Sequence, residues 1–460
     1  MLSSHRHRVV TKAGRRHSRP SSPKQAKRAA AAAAASSSSP DLHADVVVAG
    51  AGAAGLTAAH FAARSGGSSV VVLERTSAAG RKILMSGGER ANVLPVHCKG
   101  APSDIRTESA RSDRLANRML RFWPLESTKH WLEHEIALPL QCERSTNKYF
   151  PASNSARELR DNLLASCLSL GVRFEYHSGV TSIRRSSGCW EALLEDGRTA
   201  RSRSLVLATG GASVPKCGTD GVGYSIIEHD LGVNLVQPYR ALVPLRGVHP
   251  GGARLPGVTL SAQTSAHDSR SPNSKKARSE RTGFLFSHAG FSGPAVLDLS
   301  HLLVSGRSTH LSANFAGEPF DSVNEKLRTG GGRKLVKTLV AQWVPQRLSS
   351  ALLAEQGIDA ESTQAAQLTR KQRIALANAL TAYDLDVTEP MGWSKAEVTA
   401  GGVRLTDVDV NTMELADAPN LHVIGELLET TGRIGGFNFY LSWVQGKLAG
   451  RSAARVSACS

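Results

Sequence analysis

Asp45-Val46-Val47-Val48-Ala49-Gly50-Ala51-Gly52-Ala53-Ala54-Gly55-Leu56-Thr57-Ala58-Ala59-His60-Phe61-Ala62-Ala63, with Ser69-Val70-Val71-Val72-Leu73-Glu74 after it, sets the frame for the chain. The first five residues are an apolar, β-branched run that suits a strand buried on both faces. The spacing Gly50-x-Gly52-x-x-Gly55 follows at once and opens a helix of small residues. Gly50 permits a tight turn, Gly52 lets backbone approach a pyrophosphate, and Gly55 lets helix and strand pack closely. The helix N-terminus then faces the phosphates. A second buried strand ends at Glu74, 19 residues past Gly55, near the offset at which a carboxylate accepts from ribose hydroxyls. Strand, glycine turn, helix, strand and acid together predict a Rossmann-like, dinucleotide-binding α/β fold with a parallel sheet.

The 460 residues are enough for two or three domains. Residues 1–40 carry nine Lys or Arg, nine Ser, an Ala29–Ala35 run and no acid, which reads as an organelle transit peptide, with a plastid favoured over a mitochondrion. Without those nine cations, 47 Lys and Arg face 39 acids, so the excess falls from +17 to +8. Spread over the rest of the chain, that excess is weak support for nucleic acid and suits anionic cofactors equally well. No run of 18 apolar residues occurs, so no membrane span is expected. The six cysteines form no C-x-x-C pair, which argues against zinc, a dithiol couple and a disulfide framework.

After Glu74, Arg75 to Asn92 alternates glycines, cations and hydroxyls. Such a loop wraps an extended anion with its N–H groups and cationic side chains. Residues 97–115 read as a polar surface excursion. Trp123, Trp131 and Leu132 suggest a short helix, and Arg157–Leu170 is amphipathic, with Cys167 on its apolar face. Val180–Arg184, Cys189–Leu194 and Arg198–Ala200 alternate with period two and make a β-meander turned at Glu195-Asp196-Gly197. Leu205-Val206-Leu207-Ala208-Thr209-Gly210-Gly211 is another buried strand ending in bare backbone. Gly218 to Gly223 resembles a second glycine motif but follows no strand, so no nicotinamide site is assigned there. From Val233 to about Pro390 the pattern changes to short strands and then helices, with a Ser/Lys/Arg-rich stretch from Ser265 to Arg281 read as a disordered insertion. Thr369 and Gln372 have capping-box spacing. Leu421–Glu426 is a buried strand, Thr430–Asn438 a glycine-rich turn and Phe439–Ala454 a helix. The expected organisation is therefore a nucleotide-binding domain in two parts, 41–232 and 391–460, around an inserted β plus helical domain at 233–390.

Six runs carry a resemblance to a known family: Gly50–Gly55, Gly80–Gly88, Ala208–Gly211, Phe286–Ala295, Ala396–Val403 and Gly435–Asn438. In this order they resemble the FAD-dependent oxidoreductases grouped as aminoacetone-oxidase-like or bile-acid-reductase-like. The resemblance implies bound FAD, a β-barrel-like insertion and a helical subdomain over the flavin. The residues expected to hold FAD are Gly50, Gly52, Ala53, Ala54, Gly55, Glu74, Arg75, Gly80, Arg81, Lys82, Ser86, Gly87, Gly88, Asn92, Val180, Ala208, Thr209, Gly210, Gly211, Gly425, Glu426, Gly435, Gly436, Phe437 and Asn438. The N-terminus of the last helix would face the flavin ring and stabilise negative charge on it. Two positions depart from the family pattern. Glu89 and Ala91 stand where glycine and cysteine are usual, which sets a charge near the flavin and removes a thiol.

The expected function is hydride or electron transfer between a small organic substrate and FAD, with NAD(P)H as a transient donor. His288 is the expected proton-transfer group, Arg433 would bind an anionic substrate group, and Tyr440 is a third candidate. The competing assignments are a flavin-dependent tRNA-modifying protein and a non-catalytic FAD-binding redox sensor. Aromatics at 5% and the placement of the densest basic run argue against nucleic acid as a partner.

Overall fold

Val46, Val47 and Val48 are each fully buried, because their strand, Leu42–Ala49, runs through the middle of a nine-stranded sheet. It pairs in parallel with Val70–Glu74 on one side and Thr199–Leu207 on the other. Arg173–Tyr176 extends the parallel set past Val70–Glu74, and Leu421–Val423 extends it past Thr199–Leu207. The sheet thus joins residues from near both ends of the sequence, as the buried strand runs predicted. Val180–Ser186 and Cys189–Leu194 form the meander, and Cys189–Leu194 continues antiparallel onto the start of Thr199–Leu207. The computed structural model describes residues 41–252, 255–270, 276–330 and 332–455. The proposed transit peptide, 1–40, lies outside them. The chain divides into two units, Met1–Asp41 and Leu42–Ser460, and every element named here belongs to the second.

The chain leaves and re-enters the first sheet through an antiparallel ribbon, Val236–Ala241 against Val398–Gly402. Between them lies an eight-stranded antiparallel sheet. Its path begins at Tyr383–Asp384 and ends at Asp386–Pro390. Those two strands are nearly consecutive in sequence, so the sheet curls until its edges approach, the barrel-like form that the resemblance implied. Phe284, Phe286, Phe291 and Phe315 pack inside this second core. Thr369 and Gln372 cap each other's backbone as their spacing predicted, starting Arg370–Thr381.

Three expectations need correction. Residues 110–115, the end of the 97–115 stretch read as a surface excursion, lie in the helix Ala110–Arg121, whose N-cap Ser109 accepts from Ser112 N at 3.1 Å. Pro294–Val304, within the region read as β, is a helix buried along nearly its whole length. The stretch read as disordered begins and ends in paired strand: Ser265, Ala266 and His267 face Arg278, Ala277 and Lys276. Its centre, 271–275, lies outside the described residues. Among the described residues no helix is long and apolar enough to cross a membrane.

The two ends of the sequence are locked together by small residues. A Cβ on Gly450 would lie 2.2 Å from the Ala58 carbonyl oxygen, and one on Gly446 would lie 2.7 Å from that of Ala54. The helices Ala53–Arg64 and Phe437–Ala453 therefore meet backbone to backbone. Beside this seam, His60 is buried under an aromatic group. Trp131 Nε1 donates to His60 Nε2 at 3.2 Å, Phe61 and Trp131 each pack edge-on to the imidazole, and Trp123 packs edge-on to both of them. An indole N–H is only a donor, so this bond needs neutral imidazole. Burial, with Arg64 nearby, pushes His60 down to about 4.

Two outcomes follow. Gly450→Ala is expected to lower stability by about 1–3 kcal/mol through overpacking against Ala58, read as a lower urea midpoint; an unchanged midpoint contradicts the seam. Unfolded His60 takes up a proton near pH 6.5 and folded His60 only near 4, so stability rises with pH across that window. The wild type is expected to lose on the order of 2 kcal/mol between pH 7 and 5 from this group, and His60→Gln to lose correspondingly less. Equal losses in urea titrations at the two pH values exclude His60 as the cause.

Candidate functional site

The helices Ala53–Arg64 and Phe437–Ala453 both start from glycine, Gly52 and Gly436. Neither has a side-chain cap, and neither has an acid in its first turn. Uncapped first turns leave N–H donors free and carry the positive end of the helix dipole. Both starts line one cavity of about 750 Å³. The three motif glycines divide their work there. Gly50 sits at φ +106, and a Cβ on it would lie 2.4 Å from the Ala208 oxygen; a Cβ on Gly55 would lie 1.9 Å from the Gly50 oxygen. Those two serve the protein's own packing. A Cβ on Gly52 would meet nothing within 4 Å, so that space is open to a ligand.

Side chains around the cavity are tied to one another. Glu74 accepts from Ala51 N at 3.0 Å and from Thr76 N at 2.8 Å, which fixes its carboxylate at the strand end. Arg75 is held between Glu195 and Asp220. Lys82 donates to Ser213 and Glu426, each at 2.5 Å. The other Glu426 oxygen accepts from Thr399 N at 3.1 Å, so the 80–92 loop is anchored to the C-terminal part of the chain. Arg90 pairs with Glu143 at 2.8 Å and lies over the Phe150 ring at 4.0 Å.

Of the residues expected to hold the cofactor, all but Gly55, Gly211 and Phe437 line this cavity. Gly211 is turned toward Thr399, whose Oγ1 would lie 2.3 Å from a Cβ there. Phe437 is buried, with the Arg433 guanidinium 4.6 Å above its ring. The catalytic candidates separate. His288 is exposed in the turn between Thr282–Ser287 and Gly290–Ser292 and does not line the cavity. Two residues of a tight hairpin turn hold it on the surface. Arg433 does line the cavity, but its guanidinium is committed to Asp104 at 2.7 Å and Glu280 at 3.0 Å. Tyr440 is buried and donates to the Trp123 oxygen at 2.8 Å, a packing role. Cys167 is also a core residue, its thiol pushed up to about 12 by burial.

Glu89 has φ +67 and Ala91 φ +56, a backbone that costs a side-chain-bearing residue about 1–2 kcal/mol. That explains why glycine suits the first position. Glu89 is exposed and off the cavity although Gly88 and Arg90 line it, so its charge lies on the outer side of the loop, away from the expected ligand.

Lys148, Glu397 and Gln445 are among the lining residues that the sequence did not point to. Gln445 accepts from Gly425 N at 2.8 Å and donates to Thr430 at 3.2 Å, joining strand end to helix. Lys148 heads the strand Lys148–Pro151; burial pushes its ammonium down. Glu397 leads into Val398–Gly402; enclosure by protein, and then Asp298, push its carboxyl up. Glu397 lies in a run already quoted for the family resemblance, which was the available signal. Nothing in the sequence marks Lys148. Among the described residues no cluster of three or more His, Cys, Asp or Glu is placed to hold a metal ion.

Chemically, the cavity offers two donor-rich helix ends, an open backbone crest at Gly52 and a ring of cations, which suits a long anionic ligand. The chain is 29% identical over 409 residues to the ribosomal RNA dihydrouridine synthase of Escherichia coli strain K12, covering 87% of this chain and 95% of that protein. It is 27% identical to the protein of the same name from Haemophilus influenzae, covering 87% and 96%. It is 28% identical to the 3-dehydro-bile acid delta(4,6)-reductase of Clostridium scindens, covering 88% and 98%. The model of the HI0933-like protein Rossmann domain matches residues 44–452. The chain, from its first strand to its last helix, belongs to the HI0933-like Rossmann family.

Proposed function

We propose that this protein is an FAD-dependent reductase that saturates a carbon–carbon double bond conjugated to a carbonyl, acting on uridine in RNA. The observation that carries the cofactor is the meeting of two uncapped helix N-termini at one cavity, with open space above Gly52. One end suits a pyrophosphate and the other an electron-rich ring edge. Gly50–Ala54, Glu74 and the 80–92 loop would hold the nucleotide half, and Glu426 with the 435–438 turn the ring half. When bound, FAD supplies hydride transfer, restored by a nicotinamide donor.

The relatives' names support the reaction class. A dihydrouridine synthase and a delta(4,6)-reductase both denote saturation of a double bond conjugated to a carbonyl. RNA was set aside on composition, but the cavity favours it. Arg81 and Lys395 are exposed, line the cavity and have no acid partner among the described residues, as a mouth that meets a phosphate backbone requires.

Purified protein is expected to be yellow and to bleach anaerobically with NADH or NADPH. Colour should then return on adding unmodified ribosomal RNA, and more slowly with 2-cyclohexen-1-one. Recovery with the enone alone moves the substrate to small molecules; recovery with neither leaves the sensor assignment. Gly52→Val should give colourless protein whose urea midpoint corresponds to a loss of no more than about 1 kcal/mol, the cost of an altered N-cap. Yellow Gly52→Val protein contradicts the cofactor's placement.

A further inference from the structure

Within the cavity, Glu397 stands apart from the other acids, and Lys148 shares with Arg81 and Lys395 the lack of an acid partner among the described residues. Lys82, Arg75, Arg90 and Arg433 are each tied to an acid, and Glu74 and Glu426 each accept from backbone N–H. Lys148 and Glu397 line the same cavity with neither hydrogen bond nor ion pair on their side chains among the described residues. They act on each other only through space, since each shifts the other's titration. The protein thus leaves one acid, exposed to the cavity, and one half-buried ammonium without a side-chain partner among the described residues and free to meet a substrate.

We propose that Glu397 delivers the proton, and Lys148 stabilises the oxyanion, in the reduction assigned above; the proposal rests on that reading. When bound and reduced, FAD would supply a hydride to the carbon β to the carbonyl, where a C–H bond replaces the C=C π bond. The displaced electron pair passes to the carbonyl oxygen as an enolate. The Lys148 ammonium faces that charge. The Glu397 O–H bond then breaks, its proton joins the α carbon and the C=O bond re-forms. The substrate gains two hydrogens, the flavin is oxidised, and the Glu397 carboxylate is reprotonated from water. Uracil and a conjugated enone share this polarity, so one pair of residues serves both relatives' substrates.

The surroundings suit the task. Glu397 is faced by Asp298 from the helix Pro294–Val304, Lys82 from the 80–92 loop and Lys148 from its own strand. Enclosure and Asp298 act in the direction a proton donor needs, and the two lysines oppose them. Asp298 is not itself the donor: it is buried and accepts from Ile434 N at 2.7 Å. Leu242, Leu297, Val398 and Ile434 form an apolar wall of the cavity that Glu397 lines.

The test uses the FAD-loaded protein and Glu397→Gln, a change that breaks no hydrogen bond of the fold. Infrared difference spectra should show a protonated-carboxyl band that titrates with a midpoint above 4.5, the ordinary value, and is absent in Glu397→Gln. Anaerobic stopped-flow should show flavin reduction by NADPH at the wild-type rate, but reoxidation by ribosomal RNA or 2-cyclohexen-1-one slowed about 10²–10⁴-fold. Lys148→Met should slow the same half-reaction. A band midpoint at or below 4.5, or reoxidation of Glu397→Gln at the wild-type rate, overturns the proposal while leaving the reductase reading intact. Failure of the wild type to bind FAD or to be reduced defeats that reading instead.

Discussion

The contact on which everything else depends is the backbone-to-backbone packing of Ala54 and Ala58 against Gly446 and Gly450. Side chains at those glycines would meet carbonyl oxygens at 2.7 and 2.2 Å, so the two helices approach as closely as main chain allows. The helices are separated by almost the whole sequence, and they start at the same cavity only because this seam holds them side by side. Gln445, one residue before the first seam glycine, extends the arrangement by bonding Gly425 N and Thr430. Small residues here bring two positive helix ends to one place, an arrangement that neither half of the sheet provides alone.

Charge then divides the cavity's residues into structural and chemical groups. Lys82 with Glu426 ties the N-terminal loop to the C-terminal strand end, and Arg433 with Asp104 does the same further along. Such pairs, half-buried and reinforced by Ser213 and Thr399, position the walls. Truncating one partner leaves the other enclosed without compensation, so they belong to the scaffold. Lys148, Glu397, Arg81 and Lys395, whose side chains have no partner among the described residues, line the ligand space. The same logic explains why His288 and Arg433 looked like chemistry in the sequence: residue type was visible, but prior commitment to a partner or to the surface was not.

Much of the sheet was legible because its strands are buried on both faces and read as unbroken apolar runs. The glycine motif was legible because each glycine answers a steric demand, as Gly50 and Gly55 show. Ala110–Arg121 was hidden by a narrow apolar stripe: only Ser112, Ala116, Met119 and Leu120 are buried in a helix rich in arginine. Pro294–Val304 failed for the opposite reason, being apolar on nearly every side, which erases the 3.6-residue period. Lys148 and Glu397 carry no spacing signal, because their meeting is made by a strand and a ribbon about 250 residues apart in sequence and is fixed only by tertiary packing.

Amide hydrogen exchange with and without added FAD tests the central claim most directly. If one ligand lies across both helix starts, the amides of Gly52–Gly55 and those of Gly435–Phe439 slow together and at the same FAD concentration. Slowing at one segment only, or at neither, would contradict a single cofactor held between the two ends of the chain.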